Sequence, residues 1–207
     1  MTARGCFISL EGGEGVGKST QVRALAGALR ERGLDVVETR EPGGSDGAEK
    51  IRELLLDPAE DWSARSEALL FAAARADHVE HTIRPALDRG KWVLCDRFVD
   101  SSLAYQGGAG ELGIETVRAI NAFAIGEGFP DRSLVLTLEG GADRARARDG
   151  DAPDRIGGRP PRYHQQVDRA FRLIAAEEPD RVRLVDASGS PEEVTARLLS
   201  ALSDLLP

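Results

Sequence analysis

The sequence predicts an α/β domain, a parallel sheet covered by helices on both faces. Three observations carry this. Apolar runs of strand length are continuous rather than alternating, as strands buried on both faces are. Helical periodicity fills the intervals between them. A glycine-rich stretch, Gly12-Gly13-Glu14-Gly15-Val16-Gly17-Lys18-Ser19, joins the first strand-like run to the first helical one.

In chain order, the first strand is expected over Cys6–Leu10 and the first helix over Lys18–Arg32. There Val22, Leu25, Ala26 and Leu29 recur at helical spacing and Gly33 ends the pattern. A second strand over Asp35–Thr39 is cut off by Pro42-Gly43-Gly44, and a helix follows over Gly47–Leu56. A long helical pattern covers Ala64–Asp88, with Pro85 placed to kink its last turn and Gly90 beyond its end. The third strand is Trp92–Cys95, followed by helices over Ser101–Tyr105 and Gly113–Ala124. Ser133–Leu138 and Val182–Val185 make the fourth and fifth strands. A last helix is expected over Pro191–Leu206 with Ser190 as its N-cap. Residues 140–162 break the alternation: they are rich in glycine, proline, aspartate and arginine and poor in apolar residues. So long a segment inside a domain reads as a functional lid or binding loop rather than a connection.

The chain of 207 residues is read as one domain with a single sizeable core. Its net charge of −8 argues against nucleic acid as a main partner, while a local cluster of arginines still suits a small anion. Cys6 and Cys95 both fall in apolar runs and read as buried thiols of a reducing compartment. No apolar run reaches the roughly 18 residues of a membrane span, and Met1–Gly5 is too short for a secretory signal. A cytoplasmic protein with no membrane partner is expected.

The glycine stretch fits Gly, four residues, Gly-Lys-Ser/Thr, and its strand–loop–helix context supplies a mechanism. Glycines let backbone N–H groups wrap a polyphosphate, and the helix adds the positive end of its dipole. Lys18 is one of only three lysines, so its place in the pattern is not compositional background. It would reach the β- and γ-phosphates, and the Ser19 hydroxyl would ligate Mg2+. The loop therefore specifies a nucleoside triphosphate.

Acceptor-side candidates gather at other strand ends, where ligands of doubly wound sheets bind. The third strand ends in Asp96-Arg97: the carboxylate is placed to hold Mg2+ or take a proton, the guanidinium to grip a second phosphate. The second strand ends in Arg40-Glu41-Pro42-Gly43-Gly44, with Arg40 a further phosphate ligand and Pro42 a pocket wall. Phe71 and Arg75 share one helix face, an aromatic platform beside a donor fork. Ser102, Tyr105 and Gln106 follow Asp96-Arg97 closely enough to reach the same mouth.

Together these motifs resemble the bacterial thymidylate kinases over nearly the whole chain. The resemblance rests on Glu11 through Ser19, Arg40-Glu41-Pro42-Gly43-Gly44 and Glu49-Lys50-Ile51-Arg52-Glu53-Leu54-Leu55. It continues through Leu70-Phe71-Ala72-Ala73-Ala74-Arg75, Asp96-Arg97, Ser101-Ser102 and Ala104-Tyr105-Gln106-Gly107-Gly108. It implies a P-loop NTPase fold with sheet order 2-3-1-4-5 and a mobile lid over about 140–162. The implied activity is transfer of the ATP γ-phosphoryl to dTMP with Mg2+, giving dTDP, in a homodimer. Gly12, Gly13, Glu14, Gly15, Val16, Gly17, Lys18, Ser19 and Thr20 would bind ATP. Ser19 and Asp96 would hold the metal. Arg97 with Arg40 would bind the dTMP phosphate, Phe71 would stack on thymine, and Arg75 would bond its edge. Ser102 and Gln106 would line the base, Tyr105 would pack under the deoxyribose, and Glu14 would approach the 3′-hydroxyl. Pro42 would shape the wall.

A loop with glutamate but no arginine resembles the subtype that takes its catalytic arginine from the lid. Arg144, Arg146 and Arg148 resemble the lid's start and Asp154-Arg155-Ile156 its end, with Gly150 where an arginine often stands. Gly157 and Arg159 occupy positions where acids are expected, and Tyr163-His164 and Val167 resume the pattern. Arg148 is the favoured catalytic residue, alongside Lys18, Asp96 and Arg97, with Arg144 and Arg155 as the other lid candidates. Trp62 and the outer face of the long helix are the candidate dimer contacts. The competing readings are a kinase for another deoxynucleotide or a deoxynucleoside, and a P-loop switch or binding ATPase. A guanine-reading Asn/Thr-Lys-x-Asp motif is absent around Lys18, Lys50 and Lys91.

Overall fold

The apolar runs form five strands: β1 (Phe7–Gly12), β2 (Val36–Arg40), β3 (Trp92–Asp96), β4 (Arg132–Thr137) and β5 (Val182–Asp186). The computed structural model describes residues 4–126, 128–138 and 155–207. The sheet order is β2-β3-β1-β4-β5, as expected, and every neighbouring pair is parallel. Four strands run past the last apolar residue of their patterns. The ladder continues through Leu10 opposite Asp96, Arg40 opposite Asp96, and Thr137 opposite Asp186. Backbone pairing does not require an apolar side chain, so these polar tips stay in the sheet, and two of them, Arg40 of β2 and Asp96 of β3, line the cleft above it.

Around the sheet lie α1 (Lys18–Glu31), α2 (Asp46–Leu56), α3 (Ala64–His78), α4 (Arg84–Asp88), α5 (Val99–Ser102), α6 (Ile114–Ile125), α7 (Pro161–Glu177) and α8 (Pro191–Ala201). The long helix expected over Ala64–Asp88 is interrupted by a π-helical turn, Val79–Ile83, before Pro85 in the first turn of α4. Proline has no N–H to give, and the wider turn accommodates the missing rung. A second π-helical turn, Leu103–Ala109, replaces the latter part of the helix expected at Ser101–Tyr105 and carries Tyr105 and Gln106. Ser190 caps α8 in a reciprocal box with Glu193, but that helix ends at Ala201 rather than Leu206. Helix α7 is not among the elements expected above. Its buried stripe of His164, Val167, Phe171 and Ile174 has clear helical spacing. Pro161 and Arg162, the end of the proposed lid segment, form its first turn. Arg144, Arg146, Arg148, Gly150 and Asp154 lie outside the described residues.

All six residues of β1 are buried, and its two faces differ. Ile8 and Leu10 pack with Leu25, Leu29, Leu94, Leu134 and Leu198 in the layer of α1 and α8. Phe7 packs with Val93, Phe98, Leu103, Val117 and Phe171 in the layer of α5, α6 and α7. The same face continues through Ser9 and Glu11, both fully buried. Each finds polar partners there: Ser9 Oγ donates to Ser133 Oγ at 2.9 Å, and Glu11 accepts from Ser101 Oγ at 2.6 Å. Ser133 in turn donates to the buried Asp100, which Arg181 grips with two N–H groups at 2.7 Å. This polar seam anchors α5 to the centre of the sheet, directly below the cleft. Cys95 is buried as expected, while Cys6 is only half-buried; both are free thiols.

Candidate active site

The loop leaves β1 at Gly12, where φ is +129° and a Cβ would lie 2.4 Å from the Leu136 carbonyl oxygen of β4. Only glycine fits that turn. The Lys18 ammonium folds back over the loop and donates to the carbonyls of Gly12 at 3.2 Å and Gly13 at 2.5 Å. Burial, with Arg97 nearby, lowers the pKa of Lys18 to about 8. At the first turn of α1, Ser19 Oγ donates to Asp96 Oδ2 at 2.7 Å, joining the phosphate loop to the tip of β3.

The chain then turns sharply. Arg97 has φ of +68°, a left-handed conformation costly for a bulky side chain. That backbone aims the guanidinium back across the cleft. Nη1 donates to Gly12 O at 3.0 Å and Ser101 Oγ at 3.2 Å, and Nη2 donates to Glu14 Oε1 at 2.6 Å. The guanidinium carbon lies 5.0 Å from the centre of the Tyr105 ring, whose hydroxyl donates to the same Glu14 oxygen at 2.9 Å. Arg97, then burial in opposition, sets the Glu14 carboxyl, which falls to about 2. Glu11 sits beneath, accepting from Phe98 N at 2.9 Å and from Ser101. Burial, reinforced by Asp100, raises the Glu11 pKa to about 7.

A second cluster stands on α3. Glu67, Phe71 and Arg75 are four residues apart and share one face. Arg75 is 1% exposed. Its Nε donates to Glu41 Oε2 at 2.7 Å, Nη1 to Ser102 Oγ at 3.0 Å and to Asn121 Oδ1, and Nη2 to Phe98 O at 3.1 Å. Glu41 also pairs with the buried His78, whose Nε2 is 2.7 Å from Thr39 Oγ1. A Cβ at Gly44, where φ is +88°, would lie 2.4 Å from that ring nitrogen. Arg40 reaches Glu49 at 2.9 Å on the exposed rim.

These two clusters and the phosphate loop line one cleft of about 420 Å3. Of the residues named from sequence, Glu14, Gly15, Gly17, Lys18, Ser19, Thr20, Arg40, Pro42, Phe71, Arg75, Asp96, Arg97, Ser102, Tyr105 and Gln106 face it. Gly12, Gly13 and Val16 form the back of the loop instead. Arg155 lies with Glu67, donating to it at 2.6 Å and to Leu55 O at 3.0 Å. Trp62 Nε1 donates to Leu54 O.

The structure adds residues that sequence reasoning left without a role. Glu11, Glu41 and Asn121 hold the arginines and backbone of the site in place, and Glu67 collects Gln106, Arg155 and Arg159. Phe98, Arg52 and Ile156 join the cleft wall. A signal existed for Glu67, which lies one helical step before Phe71. Glu41 lay inside a quoted motif. Asn121, remote in sequence, carried no local signal.

Comparison with known proteins agrees with this geometry. The family model described as thymidylate kinase matches residues 10–198. The chain is 61% identical to a thymidylate kinase of Rhizorhabdus wittichii, covering 98% of this chain and 99% of the relative. It is 52% identical to that of Symbiobacterium thermophilum, over 97% and 94% of the two chains. Among solved structures, the thymidylate kinase of Ehrlichia chaffeensis superposes with a TM-score of 0.77 at 30% identity, covering 97% of this chain and 99% of that one. With the phosphate loop, the strand-tip Asp96-Arg97 and the Phe71–Arg75 face all in one cleft, the chain belongs to the thymidylate kinase family.

Proposed function

We propose that the cleft holds two nucleotides head to head and transfers the γ-phosphoryl of ATP to dTMP, giving dTDP and ADP. One observation carries this reading: the phosphate loop and a second, arginine-bearing pocket with an aromatic wall open into the same cavity. A switch protein or binding ATPase has no use for the second half.

Transfer of a phosphoryl group between phosphates needs little covalent help from the protein, because the attacking phosphate is already an anion. Positioning and charge neutralisation carry the rate. Lys18 would lie along the β- and γ-phosphates after leaving the Gly12 and Gly13 carbonyls. Arg97, with Arg40 at the rim, would orient the dTMP phosphate in line with the γ-phosphate. Glu14 and Tyr105, joined through one oxygen, would face the deoxyribose. Phe71 would stack on the base, and Arg75, Ser102 and Gln106 would meet its edge. The Ser19 hydroxyl and Asp96 carboxylate form a hard-oxygen pair suited to Mg2+, an ion that keeps several waters and needs few protein ligands. When bound beside the triphosphate, Mg2+ neutralises charge on its oxygens. The lid arginines, Arg148 foremost, would add charge from segment 140–162 of a single-domain chain.

A homodimer in the cytoplasm completes the proposal. Leu69 on α3 is 57% exposed and Phe123 on α6 is 94% exposed, on helices that pack against one another. So much exposed apolar surface on adjoining helices suits a partner. No helix among the described residues is long and apolar enough to cross a membrane. The test of function is an acceptor panel with ATP and Mg2+: dTMP, dUMP, dCMP, dAMP, dGMP and thymidine. Turnover is expected to be highest with dTMP; a preference for thymidine or a purine nucleotide overturns the assignment.

A further inference from the structure

Glu67 has no place in the chemistry described so far, yet its side chain is only 2% exposed. It sits in the first turn of α3, one helical step before Phe71 and two before Arg75. Its two oxygens are used differently. Oε2 accepts from Arg155 Nη2 and from Arg159 Nη2, each at 2.6 Å. Oε1 accepts from Gln106 Nε2 at 2.9 Å. Arg159 is itself held, donating to the Tyr163 hydroxyl, which donates to Tyr105 O at 2.8 Å.

This arrangement settles which way the Gln106 amide points. A carboxylate offers only acceptors, so the amide nitrogen must face Glu67 and the oxygen must turn the other way. Gln106 lines the cleft beside Phe71, Arg75 and Ser102. We infer that Glu67 is a specificity-determining positioning residue: by fixing the Gln106 amide with its oxygen toward the base, it selects a pyrimidine that carries an N–H donor at ring position 3. Thymine and uracil have that donor. Cytosine presents an acceptor there and would face Gln106 oxygen to lone pair. The two arginines hold the carboxylate and give it no freedom to rotate away. The inference rests on dTMP being the acceptor.

The same logic predicts what a neutral isostere does. In Glu67→Gln, Arg155 and Arg159 have only N–H groups to offer, so the new amide must present its oxygen to them. Its NH2 then faces Gln106, whose amide has to flip and turn its nitrogen into the cleft. The base edge now meets a donor where it met an acceptor. A mismatched buried polar pair of this kind is expected to shift discrimination roughly 10- to 100-fold. Arg75 is unchanged and still disfavours a 4-amino group, so the preference for dTMP shrinks rather than inverts.

The experiment measures kcat/KM and equilibrium dissociation constants for dTMP, dUMP and dCMP in wild type, E67Q, Q106L and the double variant. The expected result is a 10- to 100-fold fall in the dTMP/dCMP ratio for E67Q, with dUMP following dTMP. Q106L should also collapse the ratio, and E67Q should add nothing to it in the double variant. Equal losses for dTMP and dCMP in E67Q, or the full shift appearing without Gln106, overturn the inference. If E67Q does not fold, Q106L decides: an unchanged ratio there overturns it. A wild type that favours dTMP while E67Q keeps its ratio sinks this inference alone; a wild type that does not phosphorylate dTMP sinks the function as well.

Discussion

Arg97 offers the sharpest test of how the acceptor phosphate is held. A guanidinium has five N–H donors. Three are spent on Gly12 O, Ser101 Oγ and Glu14, which lock the side chain at 18% exposure across the cleft mouth. That leaves two for a phosphate, already aimed by the other three. Charge-assisted hydrogen bonds contribute about 1.5–3 kcal/mol each, so two come to about 3–6 kcal/mol, or ~10²–10⁴ in kcat/KM. Arg97→Ala should reach the upper part of that range, because it also leaves the Glu14 carboxylate unpaired beside an incoming dianion. Arg97→Lys restores the charge but not the fork; an ammonium cannot span the same partners and the phosphate together, so about 10² should remain lost. Steady-state kinetics with each substrate varied gives a second readout: KM for dTMP should rise while KM for ATP stays near wild type. Arg97→Ala within tenfold of wild type in kcat/KM for dTMP would refute the assignment.

Two further predictions rest on one buried and two exposed side chains. Glu11 binds its proton more tightly in the folded chain than in the unfolded one, since its pKa rises from 4.5 to about 7. Between those values the native state holds the extra proton, so this group costs stability as pH rises, by ~3 kcal/mol once pH exceeds about 7. Glu11→Gln should therefore gain stability relative to wild type by about that much between pH 4.5 and 8, measured by urea unfolding across the range; a difference that does not change with pH refutes it. On the outer face, Leu69→Asp combined with Phe123→Asp should convert a dimer to monomer in sedimentation velocity without lowering Tm by more than a few degrees, given exposures of 57% and 94%. A double variant that sediments as the wild type does removes those helices from the interface.

The sheet was legible because its three central strands, β1, β3 and β4, are buried on both faces, and burial of that kind writes itself as nearly unbroken apolar runs. The cleft's cationic and aromatic residues were legible through short motifs, since loop, strand tip and π-helical turn each concentrate several of them within a few positions. What did not show was the set of carboxylate–arginine pairs, distant in sequence, that brace the cleft and the sheet beneath it. Glu41 and Arg75 are 34 positions apart, Glu67 and Arg155 are 88 apart, and Asp100 and Arg181 are 81 apart. No local pattern encodes such pairs; they exist only once the fold is closed. Helix α7 was missed for a different reason. It directly follows a segment whose composition breaks the strand–helix alternation, so its stripe of His164, Val167, Phe171 and Ile174 stands outside that pattern although its helical spacing is ordinary. The π-helical turns depend on where particular backbone donors are lost or redirected, which hydrophobic periodicity does not report.

Those carboxylates also explain how a chain of net charge −8 receives two polyanionic substrates. The cleft wall carries Lys18, Arg40, Arg52, Arg75 and Arg97 against Glu14, Glu41 and Asp96, five cations to three acids. Its excess of about two positive charges is small beside the charge of ATP and dTMP together. Affinity therefore cannot come from a strong uniform field, which would attract any anion and reward none for its shape. It has to come from donors held at fixed angles, and holding an arginine at a fixed angle requires an internal acceptor. Glu14 does this for Arg97, Glu41 for Arg75, and Glu67 for Arg155, each at 2.6–2.7 Å. Each acid lowers the local positive potential and in return removes the rotational freedom that binding would otherwise have to overcome. The acidic composition is thus compatible with phosphate chemistry because donors held at fixed angles recognise the substrates by shape rather than by net charge.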